Sequence, residues 1–347
     1  MTQTDTVSQL RAVLCDESAN LAVRFRALFS LKHLATQGDV NAIDAIAAAF
    51  SSDSGKYPLH PLIAPHSHRC HLALLKHELA YCLGQSSSSH AVPYLQRVLS
   101  NLSEDPMVRH EAGEALGALG HTDSLPLLRS FLTDPSPEVR ETCEIAIERI
   151  EWLQTEQGQK EAKAIKSAFT SIDPAPPLPP SEADLNPAAA KDTKDHIDTL
   201  QQKLTDPSFP LFKRYRAMFS LRDLVPTQPS LAIPALASGF SDSSALFRHE
   251  VAFVFGQLAH PDSVPFLVPV AGDANEHPMV RHEAVEALGS VGIPEVDEIL
   301  KNLSKDGERV VRESAVVALD MAEWERSGEL EYALIPEGAK KEVVASV

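Results

Sequence analysis

The chain has 347 residues, of which 44% are hydrophobic and 23% charged, as is typical of a globular protein long enough for two domains. Its formal net charge of −17 argues against a surface for nucleic acid or anionic membrane, because such surfaces are basic. The same charge suits metal ions or a cationic partner.

The N-terminal segment and the cysteines predict an intracellular protein. The stretch MTQTDTVSQLRAVLCDESAN lacks the basic head and apolar run of a signal peptide. No stretch approaches the ~18 apolar residues of a membrane-spanning helix. None of the four cysteines forms a Cys-x-x-Cys pair, so we expect buried thiols in a reducing compartment.

An Arg-x-x-Ala pattern recurs along the chain at mostly similar intervals. Its first residue, once replaced by Lys, stands at Arg24, Lys76, Arg109, Arg140, Arg214, Arg248, Arg281 and Arg312, and the Ala is replaced by Leu79, Cys143 and Val251 in three copies. The second half repeats the first in the same order and, apart from the interval before Lys76, with closely similar spacing, and PMVRHEA occurs in both. Regular repeats of this kind are typical of stacked helix pairs. The sequence therefore predicts an all-α solenoid of eight helical hairpins, in two pseudo-symmetric arms of four repeats.

Each repeat is predicted to contain two helices joined by a short turn. Asp105-Pro106 and Asp134-Pro135 are predicted helix starts, because Asp caps free N–H groups and Pro suits the first helical turn. No alternating strand pattern stands out anywhere in the chain.

The N-terminal arm is predicted at residues 1–155. The interval before Lys76 is longer than its counterpart before Arg248, which indicates a loop insertion at 51–69. Because this loop is rich in Pro and Ser, we interpret its histidines as solvated residues rather than metal ligands; they are His60, His66 and His68.

Residues 156–195 are predicted to hold a helix end and then a flexible linker. The stretch SIDPAPPLPPSEADLNPAAAKDTKD is rich in Pro, Ala and Asp and nearly free of large apolar side chains. The C-terminal arm follows at 196–330, with a tail at 331–347. Such a tether would let the two arms pack face to face.

Four repeats carry a His-Glu dipeptide, at His77-Glu78, His110-Glu111, His249-Glu250 and His282-Glu283. The other four have Phe25, Glu141, Tyr215 and Glu313 at the His position, so the repeat scaffold does not require His. At 100° per residue, His110 and Glu111 lie away from the apolar stripe that packs on neighbouring helices. We therefore interpret the dipeptides as functional.

Imidazole and carboxylate groups together are ligands for iron, manganese or zinc. Each arm would supply one half-site, and pseudo-twofold packing would bring two ions face to face, as two-metal sites require. Four carboxylates would balance two divalent cations. A two-zinc hydrolase and a non-catalytic interaction scaffold remain alternatives. On the same helix faces, Glu114 and Glu286 could orient imidazoles or be solvated, and Met107 and Met279 could line a pocket or pack helix ends.

The four motifs LKHELAYCLGQ, PMVRHEAGEALGALG, LFRHEVAFVFGQL and PMVRHEAVEALG together resemble the deoxyhypusine hydroxylase family. The resemblance covers most of the chain outside the linker and the 51–69 loop. It implies a HEAT-like fold and a deoxyhypusine monooxygenase that uses two iron ions (Fe²⁺) and dioxygen. The substrate would be a deoxyhypusine-containing translation factor, and the product side chain would be hypusine.

The resemblance also implies roles for the eight dipeptide residues. His77, His110 and Glu111 would hold one iron, and His249, His282 and Glu283 would hold the other. Glu78 and Glu250 would lie beside the irons and bind the substrate amines; whether they also bind iron stays open. A monomer in the cytoplasm, with the nucleus as a second compartment, is expected.

Overall fold

A computed structural model describes residues 3–50, 73–165, 167–179 and 190–328, and these residues form helices joined by turns, with no strand among them. The helices of the N-terminal half are α1 (Gln3–Leu14), α2 (Leu21–Thr36), α3 (Val40–Ala49), α4 (Ala73–Gln85), α5 (Val92–Ser100), α6 (Pro106–Leu119), α7 (Leu125–Ser130), α8 (Pro137–Gln154) and α9 (Glu156–Ala164). Those of the C-terminal half are α10 (Ala190–Thr205), α11 (Leu211–Leu224), α12 (Pro229–Ala237), α13 (Ala245–Leu258), α14 (Val264–Gly272), α15 (Pro278–Val291), α16 (Asp297–Leu303) and α17 (Arg309–Ser327). The predicted all-α helical-repeat solenoid is confirmed.

One of the two predicted Asp-Pro helix starts is found in the structure. Asp105 caps α6 by accepting a hydrogen bond from the Met107 N–H at 2.9 Å, and Pro106 is the first helical residue. The prediction at Asp134-Pro135 is wrong by two residues, since α8 begins at Pro137. The Asp134 carboxylate instead forms an ion pair with Arg109 of the preceding repeat.

The arginine of the Arg-x-x-Ala pattern ties the two helices of a repeat together. Its Nε donates a hydrogen bond to a carbonyl ten residues earlier, near the end of the preceding helix, where carbonyls lack intrahelical partners. This contact recurs in four repeats, as Arg24 to Leu14 at 2.9 Å, Arg109 to Leu99 at 3.2 Å, Arg214 to Leu204 at 2.9 Å and Arg281 to Ala271 at 3.1 Å.

The second helices of successive repeats stack directly on one another. In the N-terminal arm α4 packs on α6 and α6 on α8; in the C-terminal arm α13 packs on α15 and α15 on α17. Glycines permit a close approach: a Cβ at Gly289 would lie 2.7 Å from the Ala318 Cα. These stacks fix the helices that carry the four His-Glu dipeptides.

The two arms meet at both ends. Helix α2 contacts α17 at one end, and α8 contacts α11 and α13 at the other. At the first contact the Arg26 guanidinium makes two hydrogen bonds of 2.8 Å to the Asp320 carboxylate. The second helices of the two arms therefore face each other across a closed space.

The sequence predicts a helix end followed by a flexible linker at residues 156–195, and the structure describes most of this segment. Residues 156–164 continue as α9, and α10 begins at Ala190. Between them, residues 171–178, which we call the strap, lie along both arms, and Ala175 is fully buried. The Pro-rich composition predicts flexibility, but side chains from the arms hold these residues in place.

The predictions for the loop at 51–69, Cys70 and the tail at 331–347 lie outside the described residues. The arm boundaries stay predictions. Cys15, Cys82 and Cys143 are free thiols, and the last two are buried as expected. No helix of the described chain is long and apolar enough to cross a membrane.

Candidate metal centre

The four His-Glu dipeptides lie on α4, α6, α13 and α15 and point into the space between the arms. They are buried although they avoid the packing stripe of their own arm, because the opposite arm covers them. The exposed fractions are at most 7% for His77, Glu78, His110, Glu111, His249, Glu250, His282 and Glu283. The structure thus brings together every residue predicted for the site.

The four imidazole rings form one cluster on the pseudo-twofold axis. Within the arms, ring centroids lie 5.3 Å apart for His77 and His110, and 5.4 Å for His249 and His282. Across the arms, His77 lies 5.7 Å from His249 and 5.2 Å from His282. Distances within and between arms are therefore nearly equal.

All eight ring nitrogens of these histidines are buried and have no hydrogen-bond partner. A buried polar group without a partner costs about 1–3 kcal/mol, and native proteins keep few of them. A neutral imidazole offers one lone pair and one N–H, so the four rings could supply four lone pairs to bound metal ions. The donor set fits a pair of metal ions.

In each arm, one glutamate carboxylate lies close to a histidine of the neighbouring helix. Glu111 Oε2 lies 3.2 Å from His77 Nε2, and Glu283 Oε2 lies 3.3 Å from His249 Nε2. Each arm therefore places one carboxylate beside an imidazole of the neighbouring helix.

Potential ligand atoms group in three places, each spanning no more than 4.8 Å. One group is His249, His282 and Glu283, the set predicted for the C-terminal arm. The other two are His77 with His110 and His249, and His110 with Glu111 and Glu114. The sequence interpretation missed the group that joins both arms, because the distance between arms is not encoded in helical spacing.

The pKa values of three histidines of the site shift in different directions. Burial lowers the pKa of His110 and His282 well below the ordinary value, and the neighbouring histidines add to this effect. Burial also acts to lower the pKa of His77, but the Glu111 and Glu78 carboxylates outweigh it and hold that pKa well above its usual range. Neutral imidazoles bind metal, and a position that favours a proton also favours a metal cation.

Three glutamates of the site favour their neutral form. Burial raises the pKa of Glu114, Glu250 and Glu286 well above the ordinary value, and nearby carboxylates raise it further. Glu286 Oε1 lies 3.7 Å from His282 Nδ1 and accepts a hydrogen bond from the Ser314 hydroxyl at 3.0 Å. The 3.7 Å separation is too long for a hydrogen bond, so the orienting role of Glu286 stays a prediction. A cation near these carboxyls would restore their charged form.

A cavity of about 290 Å³ lies between the arms, one helical turn from His110 and His282. Met107 and Met279 line it, so these residues do face a pocket. Its other lining side chains are mostly acidic or small and include Asp105, Glu138, Glu308 and Glu313.

Curated relatives match nearly the whole chain. Deoxyhypusine hydroxylase of Neurospora crassa is 54% identical over 97% of this chain and 98% of its own length. Deoxyhypusine hydroxylase of Gibberella zeae is 52% identical over 96% of this chain and 94% of its own. The chain belongs to the deoxyhypusine hydroxylase family. It is therefore an enzyme.

A solved structure agrees with this deoxyhypusine hydroxylase membership. Human deoxyhypusine hydroxylase in complex with glycerol aligns with a TM-score of 0.77 and 43% identity, over 92% of this chain and 96% of that one. A model of HEAT repeats matches residues 73–148 and 233–320, which include all four dipeptides. The exact count of eight repeats stays a prediction.

Proposed function

We propose that this chain hydroxylates the deoxyhypusine side chain of a translation factor to hypusine, with two iron ions and dioxygen. The observation that carries the proposal is the cluster of eight unpartnered, buried imidazole nitrogens beside four glutamates. The activity itself follows the names of the relatives, which are similar over almost their full length.

One iron would be held by His77, His110 and Glu111, and the other by His249, His282 and Glu283. The close group formed by the second set supports its assignment. For the first set, the support is the 3.2 Å approach of Glu111 to His77 and the 5.3 Å separation of the two imidazole rings.

When bound, the iron pair would supply the redox chemistry that inserts one oxygen atom of dioxygen into a C–H bond. The other oxygen atom would leave as water, which takes two protons and two electrons; two Fe²⁺ ions could supply these electrons once, and an added reductant would supply them in later turnovers. The protein side chains provide the setting for that reaction. The four helices hold the imidazoles in fixed directions and exclude bulk water, since His110 and His282 are fully buried.

Glu78 and Glu250 would bind the cationic amines of the substrate. Both are nearly fully buried, and Glu250 Oε1 has no hydrogen-bond partner. A buried carboxylate gains most from an ammonium partner, because a buried charge without one is strongly unfavourable. Glu114 and Glu286 favour their neutral form without a cation, and a bound amine close to them would favour their ionised form.

The substrate chain would enter through the cavity between Met107 and Met279. Four carboxylates line this cavity beside two basic residues, Arg309 and His277, so the lining has an excess of acidic groups that would attract a cationic side chain. The methionines would accommodate the methylene groups between amines. The entering chain would then reach the histidines one helical turn further in.

A two-zinc hydrolase would use the same ligands, because imidazole and carboxylate also bind zinc. The names of the relatives favour the hydroxylase. The non-catalytic scaffold is set aside by the family membership.

The test is to reconstitute the metal-free chain with Fe²⁺ or Zn²⁺ and incubate it in air with a translation factor that carries deoxyhypusine. Mass spectrometry should show the gain of one oxygen atom with Fe²⁺ only. His110→Ala and His282→Ala should each lower the rate at least about 100-fold, because loss of a ligand should cost more than the roughly 10- to 100-fold typical for groups that only orient ligands. The exposed His121→Ala serves as the control. Equal product with Zn²⁺, or unchanged rates in both site variants, would refute the proposal.

A further inference from the structure

Helices α4 and α13 face each other in three layers, each one turn beyond the last. The first layer is His77 and His249, whose ring centroids lie 5.7 Å apart. The second is Tyr81 and Phe253, whose rings meet edge to face at 5.9 Å. Gln85 and Gln257 form the third, since each follows the histidine of its own helix at the same spacing.

Gln85 binds the strap through both ends of its side-chain amide. Its Oε1 accepts a hydrogen bond from the Ile172 N–H at 2.8 Å, and its Nε2 donates to the Ile172 carbonyl at 3.1 Å. This pairing fixes one strap residue to α4 in both position and direction.

Gln257 binds the neighbouring strap residue from the other arm. Its Nε2 donates to the Ser171 hydroxyl at 2.8 Å, while its Oε1 accepts a hydrogen bond from Arg222 at 2.7 Å. Equivalent glutamines from the two arms thus hold consecutive residues of one segment.

Buried charges and backbone contacts anchor the rest of the strap. Arg222, which is fully buried, forms an ion pair of 2.9 Å with Asp173. Arg149 of the N-terminal arm donates to the Asp173 carbonyl at 3.0 Å, and Ser220 of the C-terminal arm accepts from the Leu178 N–H at 2.8 Å. A segment that only connected the two arms would require none of these hydrogen bonds and ion pairs.

We infer that the strap, residues 171–178, is a clamp that sets the distance between α4 and α13, and that Gln85 and Gln257 are positioning residues of the metal centre. This inference rests on the proposed metal site, whose ligand atoms come from both arms. Gln85 lies two helical turns beyond His77, or about 12 Å along the helix. Because Gln85 and His77 lie on one helix, a shift of α4 at Gln85 would also displace the His77 imidazole, and the same holds for Gln257 and His249 on α13. Metal-binding side chains must stay within about 0.5 Å of their productive positions.

The test uses the full-length, metal-free chain and the double variant Gln85→Ala with Gln257→Ala. Two readouts are needed: anaerobic titration with Fe²⁺ alone, and amide hydrogen exchange of α4 and α13 without metal. We expect about tenfold weaker iron binding, the order expected for the loss of a few neutral hydrogen bonds, together with faster exchange. Each single variant should move both readouts less, in the same direction. Gln96→Ala with Gln202→Ala, one change in each arm away from the strap, should change neither.

Unchanged iron affinity and exchange in the double variant would overturn the clamp and leave the metal centre untouched. Weaker iron binding with unchanged exchange would also overturn it, because the effect would not pass through the helices. If the wild-type chain binds no Fe²⁺, the proposed function fails, while exchange in the metal-free chain still decides whether the strap holds the arms. Should the double variant not fold, the two single variants decide by the same readouts.

Discussion

Glu250 differs from its counterpart Glu78 in its surroundings. Glu78 Oε1 lies 3.4 Å from His77 Nδ1, whereas Glu250 Oε1 is buried without a hydrogen-bond partner. Burial raises the pKa of Glu250 well above its usual range, so an ionised Glu250 needs a cation beside it. Either a substrate amine or a metal ion would meet that need.

Glu250→Gln separates these two roles because it removes the charge and keeps the shape. If Glu250 binds the substrate amine, KM should rise at least about tenfold, as a charged hydrogen bond contributes about 1.5–3 kcal/mol, and iron content should stay at the wild-type level. Steady-state kinetics and metal analysis of the same preparation check this. Exposed Glu295→Gln in the same arm is the control. Loss of iron at unchanged KM would make Glu250 a metal ligand instead.

At the scale of single residues, the sequence predicted which histidines and glutamates meet, because the eight repeats show that only four carry His-Glu. It did not predict roles for Gln85 and Gln257. The only sequence signal was the Gly-Gln pair at the equivalent place in each arm, which reads equally well as scaffold. Their function depends on a strap whose path no local pattern encodes.

The packing of the stacked second helices fixes the positions of the histidines that they carry. Gly289 lies on α15, the helix of His282, and packs directly on the backbone of α17 at Ala318. Helical periodicity predicted these helices and their inner faces. It could not predict that the recurring glycine is a contact point, since glycine is otherwise unfavourable within helices.

Gly289→Ala should destabilise the protein, although alanine is intrinsically the better helix former. Its Cβ would lie 2.7 Å from the Ala318 Cα, and such overpacking typically costs about 1–3 kcal/mol. Gly272→Ala on α14, where no atom lies within 4 Å of the new Cβ, should be neutral or slightly stabilising. Urea unfolding compares the two. Equal stabilisation by both substitutions would show that α15 and α17 do not pack this closely.

The whole molecule is closed, with the arms joined at both ends and by the strap. The duplicated PMVRHEA motif and its flanking repeats predicted two arms that each bring half of a site, and the facing histidines agree with that expectation. The ordered strap could not be predicted, because its Pro- and Ala-rich composition is shared with flexible linkers. Contacts such as Arg26 with Asp320 join residues 294 positions apart, beyond the reach of any local pattern.

The central claim is that the closed arms hold two iron ions in the histidine cluster. The measurement that tests it most directly is metal analysis of the full-length protein, purified without chelator. We expect close to two irons per chain in the wild type and in the control His121→Ala, and substantially less in His110→Ala and His282→Ala. Zinc in place of iron, or no metal in the wild type, would contradict it.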